Sequence, residues 1–252
     1  LEMLLRKGRF EQYARLMRYD ASTGRSYYRV LLQEAEISQI LQMIQLLNIG
    51  RPEEYAAGYP AFLERGTSFR LAELAKVRSF VELIRLLANT PYAADLRPLR
   101  PAVPGGPVDY TACEAALRSG YYRRLEEAID RSFRGRVRQD LHEIEQTHIE
   151  LLNIGHIYRL KKFFPQTSPE TLEKTLLPCW HRIGRQKLEA LLQAPDAETF
   201  IDQLARSRFS KYFGRDDFLF IEYRADCIRY HLARRYLHFS ADAPTAFTAY
   251  MV

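Results

Sequence analysis

The stretch Leu46-Leu47-Asn48-Ile49-Gly50 returns letter for letter as Leu151-Leu152-Asn153-Ile154-Gly155, 105 positions further on. Pro60 and Pro165 keep the same offset, each ten residues beyond its Gly. Ser79-x-x-x-x-Ile84-x-x-Leu87-Ala88 is echoed by Asp196-x-x-x-x-Ile201-x-x-Leu204-Ala205 at an offset of 117, as an insertion of 12 between Thr167 and Pro178 would produce. Glu114 and Glu222 then correspond at 108. Self-similarity at a long fixed period marks a chain of repeated supersecondary units, which is unlike a single-site enzyme.

The periodic signal around the repeat is helical. Ile37, Ile40, Leu41, Ile44 and Leu47 fall on one helical stripe, and Leu141, Ile144, His148, Leu151 and Leu152 form its counterpart. These stripes close long patterns that begin near Tyr27 and Arg123. Ser79-Phe80-Val81-Glu82 reads as a capping box, in which Ser and Glu satisfy the unpaired amides of a helix start. Asp196 is a matching N-cap, with Thr199 where the Glu would stand. Ser168-Pro169-Glu170 is a further start, with Pro at the first helical position. No segment requires a strand, so the fold class expected is all-α.

Breakers separate the copies. Leu96 to Val108 holds Pro98, Pro101, Pro104, Gly105, Gly106 and Pro107, which no helix tolerates. Arg215 to Asp217 is the expected shorter counterpart. The organisation read from this is a remnant over 1–24, a first complete unit over 25–109, a second over 110–217, and the start of another over 218–252. The chain opens at Leu1 and stops at Tyr250-Met251-Val252 without a polar tail, and we read it as a stretch of a longer protein.

With 252 residues, 47% of them hydrophobic, the chain can bury a sizeable core in one unit or two. No apolar run approaches the ~20 residues that cross a bilayer, and no signal peptide opens the sequence. Cys113, Cys179 and Cys227 are odd in number and widely spaced, without a CxxC pair, so reduced thiols are expected rather than zinc or disulfides. Net charge is +6, and only seven of 37 basic residues are Lys. Arg can grip phosphate, acidic lipid or acidic protein through paired hydrogen bonds, but acids are interleaved nearly throughout. Charge alone therefore favours an anionic partner only weakly.

The motifs of catalysis are missing from the sequence. Pro104-Gly105-Gly106-Pro107 lacks the Lys and following helix of a P-loop. In His142-Glu143-Ile144-Glu145-Gln146-Thr147-His148 the second His stands at i+6 instead of i+4, off the face needed to share zinc. His148 is expected in the core. His231 and His238 lie two turns apart, too far to share a metal unaided, and no Ser has a nucleophile-elbow setting. Glu126, Glu127 and Asp130 alternate with Arg123, Arg124 and Arg131 as salt-linked helix surface. Tyr121-Tyr122-Arg123-Arg124, Lys161-Lys162-Phe163-Phe164 and Arg234-Arg235-Tyr236 have the composition of nucleic-acid stacking sites. In a helix the same pattern puts aromatics inward and cations outward, and that is the expectation adopted. No cofactor and no metal are expected.

Glu150-Leu151-Leu152-Asn153-Ile154-Gly155-His156-Ile157-Tyr158-Arg159-Leu160-Lys161 resembles the repeated element of the C subunit of V-type/A-type ATPases, the d subunit of eukaryotes. The likeness runs on through Pro178, Asp196-x-x-x-Phe200-x-x-x-Leu204 and Phe220-Ile221-Glu222 to Pro244 and Ala249-Tyr250. It covers most of 110–252 directly and 1–109 through the repeat. The resemblance implies an all-helical, funnel-like socket of three related units about a pseudo-threefold axis. It implies a non-catalytic subunit on the cytoplasmic face of the membrane rotor ring, receiving the shaft of the rotary motor. Asn153, Arg159 and Lys161 carry over from the family element, with Asn48 as the first copy's Asn and Glu222 as a candidate contact. In that register Gln45 stands for the acid and Glu54 for the Arg, departures that set the first copy apart. Asn48 and Asn153 are also expected to bond to backbone where their helices end. Two other functional classes compete with the coupling subunit. A basic helical nucleic-acid-binding module would gather cations from both copies on one face, and an enzyme would assemble its site where the repeats meet.

Overall fold

The computed structural model describes residues 7–8, 10–12, 14–15, 25–64, 66–103, 106–178, 182–210 and 221–251. Every regular element among them is helical, so the fold class is all-α. The expected remnant over 1–24 falls largely outside the described residues, and Arg215 to Asp217, Phe218 and Cys179 fall wholly outside them. Two compact units divide the chain, Leu1–Ser132 and Phe133–Val252.

The first unit is built on α1 (Arg25–Asn48), followed by short helices α2 (Tyr55–Gly58), α3 (Phe80–Leu86) and α4 (Pro91–Leu96), and by α5 (Tyr110–Ser132). Helix α5 packs along α1 and against α4. Ile37, Ile40, Leu41 and Ile44 of the expected stripe are buried, joined by Tyr27, Tyr28 and Met43. Helix α3 starts at Ser79, whose hydroxyl accepts the Glu82 amide. The Glu82 carboxylate accepts the Arg78 amide instead of that of Ser79, so the box closes one residue early.

The second unit is organised by α6 (Gly135–Phe163), followed by α7 (Pro169–Thr175), α8 (Arg185–Gln193), α9 (Ala197–Ala205), α10 (Ile221–Phe239) and α11 (Ala243–Met251); α9, α10 and α11 pack against α6, and α8 packs between α7 and α9. Leu151, Ile154, Ile157 and Tyr158 of α6 share one apolar cluster with Leu172, Leu188, Leu191, Phe200, Leu204 and Ile228. Ile144 forms a smaller cluster with Leu232, Ala233, Tyr236 and Ala249. The expected caps are present: the Ser168 hydroxyl accepts the Thr171 amide, with Pro169 in the first turn, and the Asp196 carboxylate accepts the Thr199 amide.

Two readings change. The long pattern beginning near Arg123 is two helices, because the chain turns between Ser132 and Gly135, where Gly135 has φ +59°. That left-handed conformation suits a residue without Cβ. The boundary between the compact units follows α5, which packs on α1 and α4. The shared pentapeptide, finally, does not have one shape. Asn48 ends α1, Gly50 takes φ +71°, and the Gly50 and Arg51 amides donate back to the Leu47 and Leu46 carbonyls. This is a Schellman end, enforced by Pro52, which cannot continue a helix. Beyond Gly155 no proline stands before Pro165, and α6 runs straight through.

Candidate functional site

The family-like element lies on α6, and three of its side chains point into the second unit. Glu150 is fully buried; its carboxylate accepts the Arg182 amide at 2.9 Å and the Ile183 amide at 2.6 Å. Asn153 takes both sides of one residue: its amide group donates to the Leu177 carbonyl at 2.9 Å and its oxygen accepts the Leu177 amide at 2.8 Å. Lys161, 7% exposed, donates to the Leu192 and Ala194 carbonyls. Burial lowers the affinity of Lys161 for its proton, and the nearby Asp196 carboxylate opposes that shift. A buried cation is tolerated when it is paired or hydrogen-bonded, and these two carbonyls fill that role. Together the three side chains brace Leu177 to Ala194 against α6.

Arg159 and Glu222 face the other way. Their side chains are 55% and 68% exposed and meet at 3.4 Å. An exposed pair of this kind contributes about 0–1 kcal/mol, so it leaves both groups available. Asn48 grips Val108 in the manner of Asn153, donating to its carbonyl at 2.8 Å and accepting its amide at 2.9 Å. Both Asn side chains therefore bond to backbone, as expected. Each holds a distant loop, however, and Asn153 does so from mid-helix.

A different register brings corresponding groups together. Glu36 on α1, 2% exposed, accepts the Ser68 amide at 2.6 Å; Glu150 accepts the amide of Arg182. Glu150 and Arg182 each stand 114 positions after Glu36 and Ser68. At this offset Gln39 falls on Asn153 and Ile40 on Ile154. In this register Glu36 falls on Glu150 and Gln45 on Arg159. The signal was in the sequence as Glu36-x-x-Gln39-Ile40 against Glu150-x-x-Asn153-Ile154, outweighed by the pentapeptide.

Two further hubs escaped sequence reasoning. Glu36 also accepts the Tyr92 hydroxyl at 2.6 Å, and Arg124, over the Tyr92 ring, donates to Asp95 and Gln33. Burial and the Glu36 carboxylate push the Tyr92 hydroxyl far above its ordinary range. In the second unit Glu143 accepts the Tyr236 hydroxyl at 2.6 Å and meets Arg182 and Arg235, each at 3.0 Å. Burial acts to raise the Glu143 carboxyl, but Tyr236, Arg235 and Arg182 outweigh it and hold the group below its ordinary range.

The aromatic–basic clusters divide. Tyr121, Tyr122 and Tyr236 turn inward as expected, while Phe163 and Phe164 are exposed and Lys161 is inside, the reverse of the expectation. The cause is the pair of carbonyls that capture Lys161. His148 is half-buried, and the buried Cys113 thiol is pushed up by desolvation to about 11. Among the described residues no three His, Cys, Asp or Glu side chains gather closely enough to hold a metal. No helix among them is long and apolar enough to cross a membrane.

Long helices whose buried polar side chains hold neighbouring loops define an all-helical protein. The sequence model of the ATP synthase (C/AC39) subunit matches residues 1–252, and the chain belongs to that family of V-type and A-type ATPase subunits. Comparison with curated proteins gives no match.

Proposed function

We propose that this subunit is the non-catalytic central-stalk element of a rotary V/A-type ATPase, coupling the shaft to the membrane rotor ring from the cytoplasmic side. The observation that carries this is the family match over residues 1–252. The buried bracing agrees with it: Glu150, Asn153 and Lys161 are spent on stiffening a scaffold that must transmit torque. Residues 25–109 and 139–223 are related copies in the register of Glu36 and Glu150, which moves the second copy from the 110–217 read from the pentapeptide. Arg159 and Glu222 are the contact residues proposed from the motif, since both are exposed and only weakly committed to each other.

The test is association of the purified chain with the shaft subunits and with the isolated rotor ring. A stable complex is expected near 0.15 M salt, weakening as salt rises, because exposed charges are screened over roughly 8 Å there. Arg159→Glu is expected to weaken it further. Binding to neither shaft nor ring would refute the assignment.

A further inference from the structure

We propose that α10 carries a docking seam for an acidic amphipathic helix of a partner protein. Helix α10 buries Ile221, Ile228, Leu232 and Tyr236. On another face it presents Tyr223, Cys227, Tyr230, Arg234 and Leu237, spaced 4, 3, 4 and 3 residues apart. That is the spacing of a two-helix seam, in which alternate steps of three and four keep one stripe toward a partner. Tyr230 and buried Leu232 point roughly 200° apart round the helix, so the core face and the seam are separate. Tyr223, Tyr230 and Leu237 are 63%, 61% and 44% exposed. Three large apolar side chains held in register on one exposed helix are characteristic of an interaction surface.

The part of the seam from Tyr230 to Leu237 is concave. Helix α11 supplies Ala249 and Tyr250 as its second wall, and with Tyr230, Ala233 and Leu237 they line an open groove of about 540 Å³. From Tyr223 to Leu237 the seam runs roughly 21 Å, about four turns of a partner helix.

Charge selects the occupant. Asp226, the acid in the groove, is paired with Arg229 at 3.4 Å. Arg234 stands within the seam, exposed, and no carboxylate among the described residues pairs with it. The neighbouring Arg235 is already engaged with Glu143. An incoming helix with Glu or Asp beside its apolar seam meets the exposed Arg234, whereas a second copy of the seam would bring another Arg234. Regular apolar teeth at heptad spacing read a helix better than they read a nucleic-acid backbone. The inference requires neither shaft nor ring, so it stands or falls apart from the stalk assignment.

The experiment uses the full chain and two labelled synthetic peptides of about twenty residues, with Leu at both seam positions. One has Glu at the flanking positions and the other Lys. Fluorescence anisotropy is expected to show the Glu peptide binding at least about tenfold more tightly than the Lys peptide, a difference of about 1.4 kcal/mol. Tyr230→Ala with Leu237→Ala is expected to lose about tenfold or more. Arg234→Glu is expected to narrow or reverse the preference, and far-UV circular dichroism checks that each variant keeps its helices. Equal binding of the two peptides, or undiminished binding by the correctly folded double variant, would overturn the proposal. So would a seam-dependent dimer in light scattering, or displacement of the Glu peptide by a single-stranded oligonucleotide.

Discussion

Asn153 and Asn48 make the same pair of hydrogen bonds in different surroundings, and the surroundings set their worth. Leu177 is buried, so Asn153→Ala strands an amide and a carbonyl away from water, at about 1–3 kcal/mol for each group left unmade. Asn48 is exposed, and water replaces it at Val108. Urea unfolding is expected to show a loss of about 2 kcal/mol or more for Asn153→Ala and under about 1 kcal/mol for Asn48→Ala. Glu143 gives a pH signature. Its folded carboxyl sits below the ordinary value, so its stabilising contribution is complete above the ordinary carboxylate range. The contribution is lost as pH falls through the depressed folded value. Glu143→Gln is therefore expected to flatten the acid limb of a stability–pH profile and leave its slope near neutrality unchanged. None of these partners was legible in the sequence. Periodicity shows which face of a helix turns inward, but not which loop amide meets a buried carboxylate 32 residues away.

At the scale of elements, local chemistry was legible where a side chain acts on its own helix. Ser79, Ser168 and Asp196 each cap the helix expected of them. The pentapeptide misled because helix termination is decided by the residues after it, Pro52 in one case and an uninterrupted His156-Ile157-Tyr158 in the other. The two glycines should respond oppositely to Ala. Gly50 holds φ +71°, where a Cβ is strained, so Gly50→Ala is expected to destabilise by about 1 kcal/mol. Gly155 is within α6, and nothing within 4 Å would meet its Cβ. Gly155→Ala is expected to stabilise by about 0.5–1 kcal/mol through helix propensity. Thermal unfolding of the two variants distinguishes these signs. Lys161 carries the same lesson as the glycines: two carbonyls at the C-terminal end of α8 reverse the inward–outward pattern that amphipathicity alone gives to Lys161–Phe164.

For the whole molecule, the all-α class followed from periodicity and punctuation, and the family from the order of loose motifs around Glu150 to Lys161. The parallel between Glu36 and Glu150 did not follow, because five identical letters outweigh a spaced acid–amide–Ile pattern whose acid accepts a loop amide in each unit. In the proposed role the subunit is a mechanical link whose polar motif residues stiffen it and whose exposed groups meet its neighbours. Ion pumping measured alongside ATP hydrolysis, in the reconstituted ATPase with and without this subunit, tests that role most directly. Omission is expected to abolish ATP-driven pumping while hydrolysis by the soluble motor persists, and adding the subunit back is expected to restore pumping. Pumping that continues undiminished without it, or hydrolysis that stops with its removal, would contradict the role of a mechanical link.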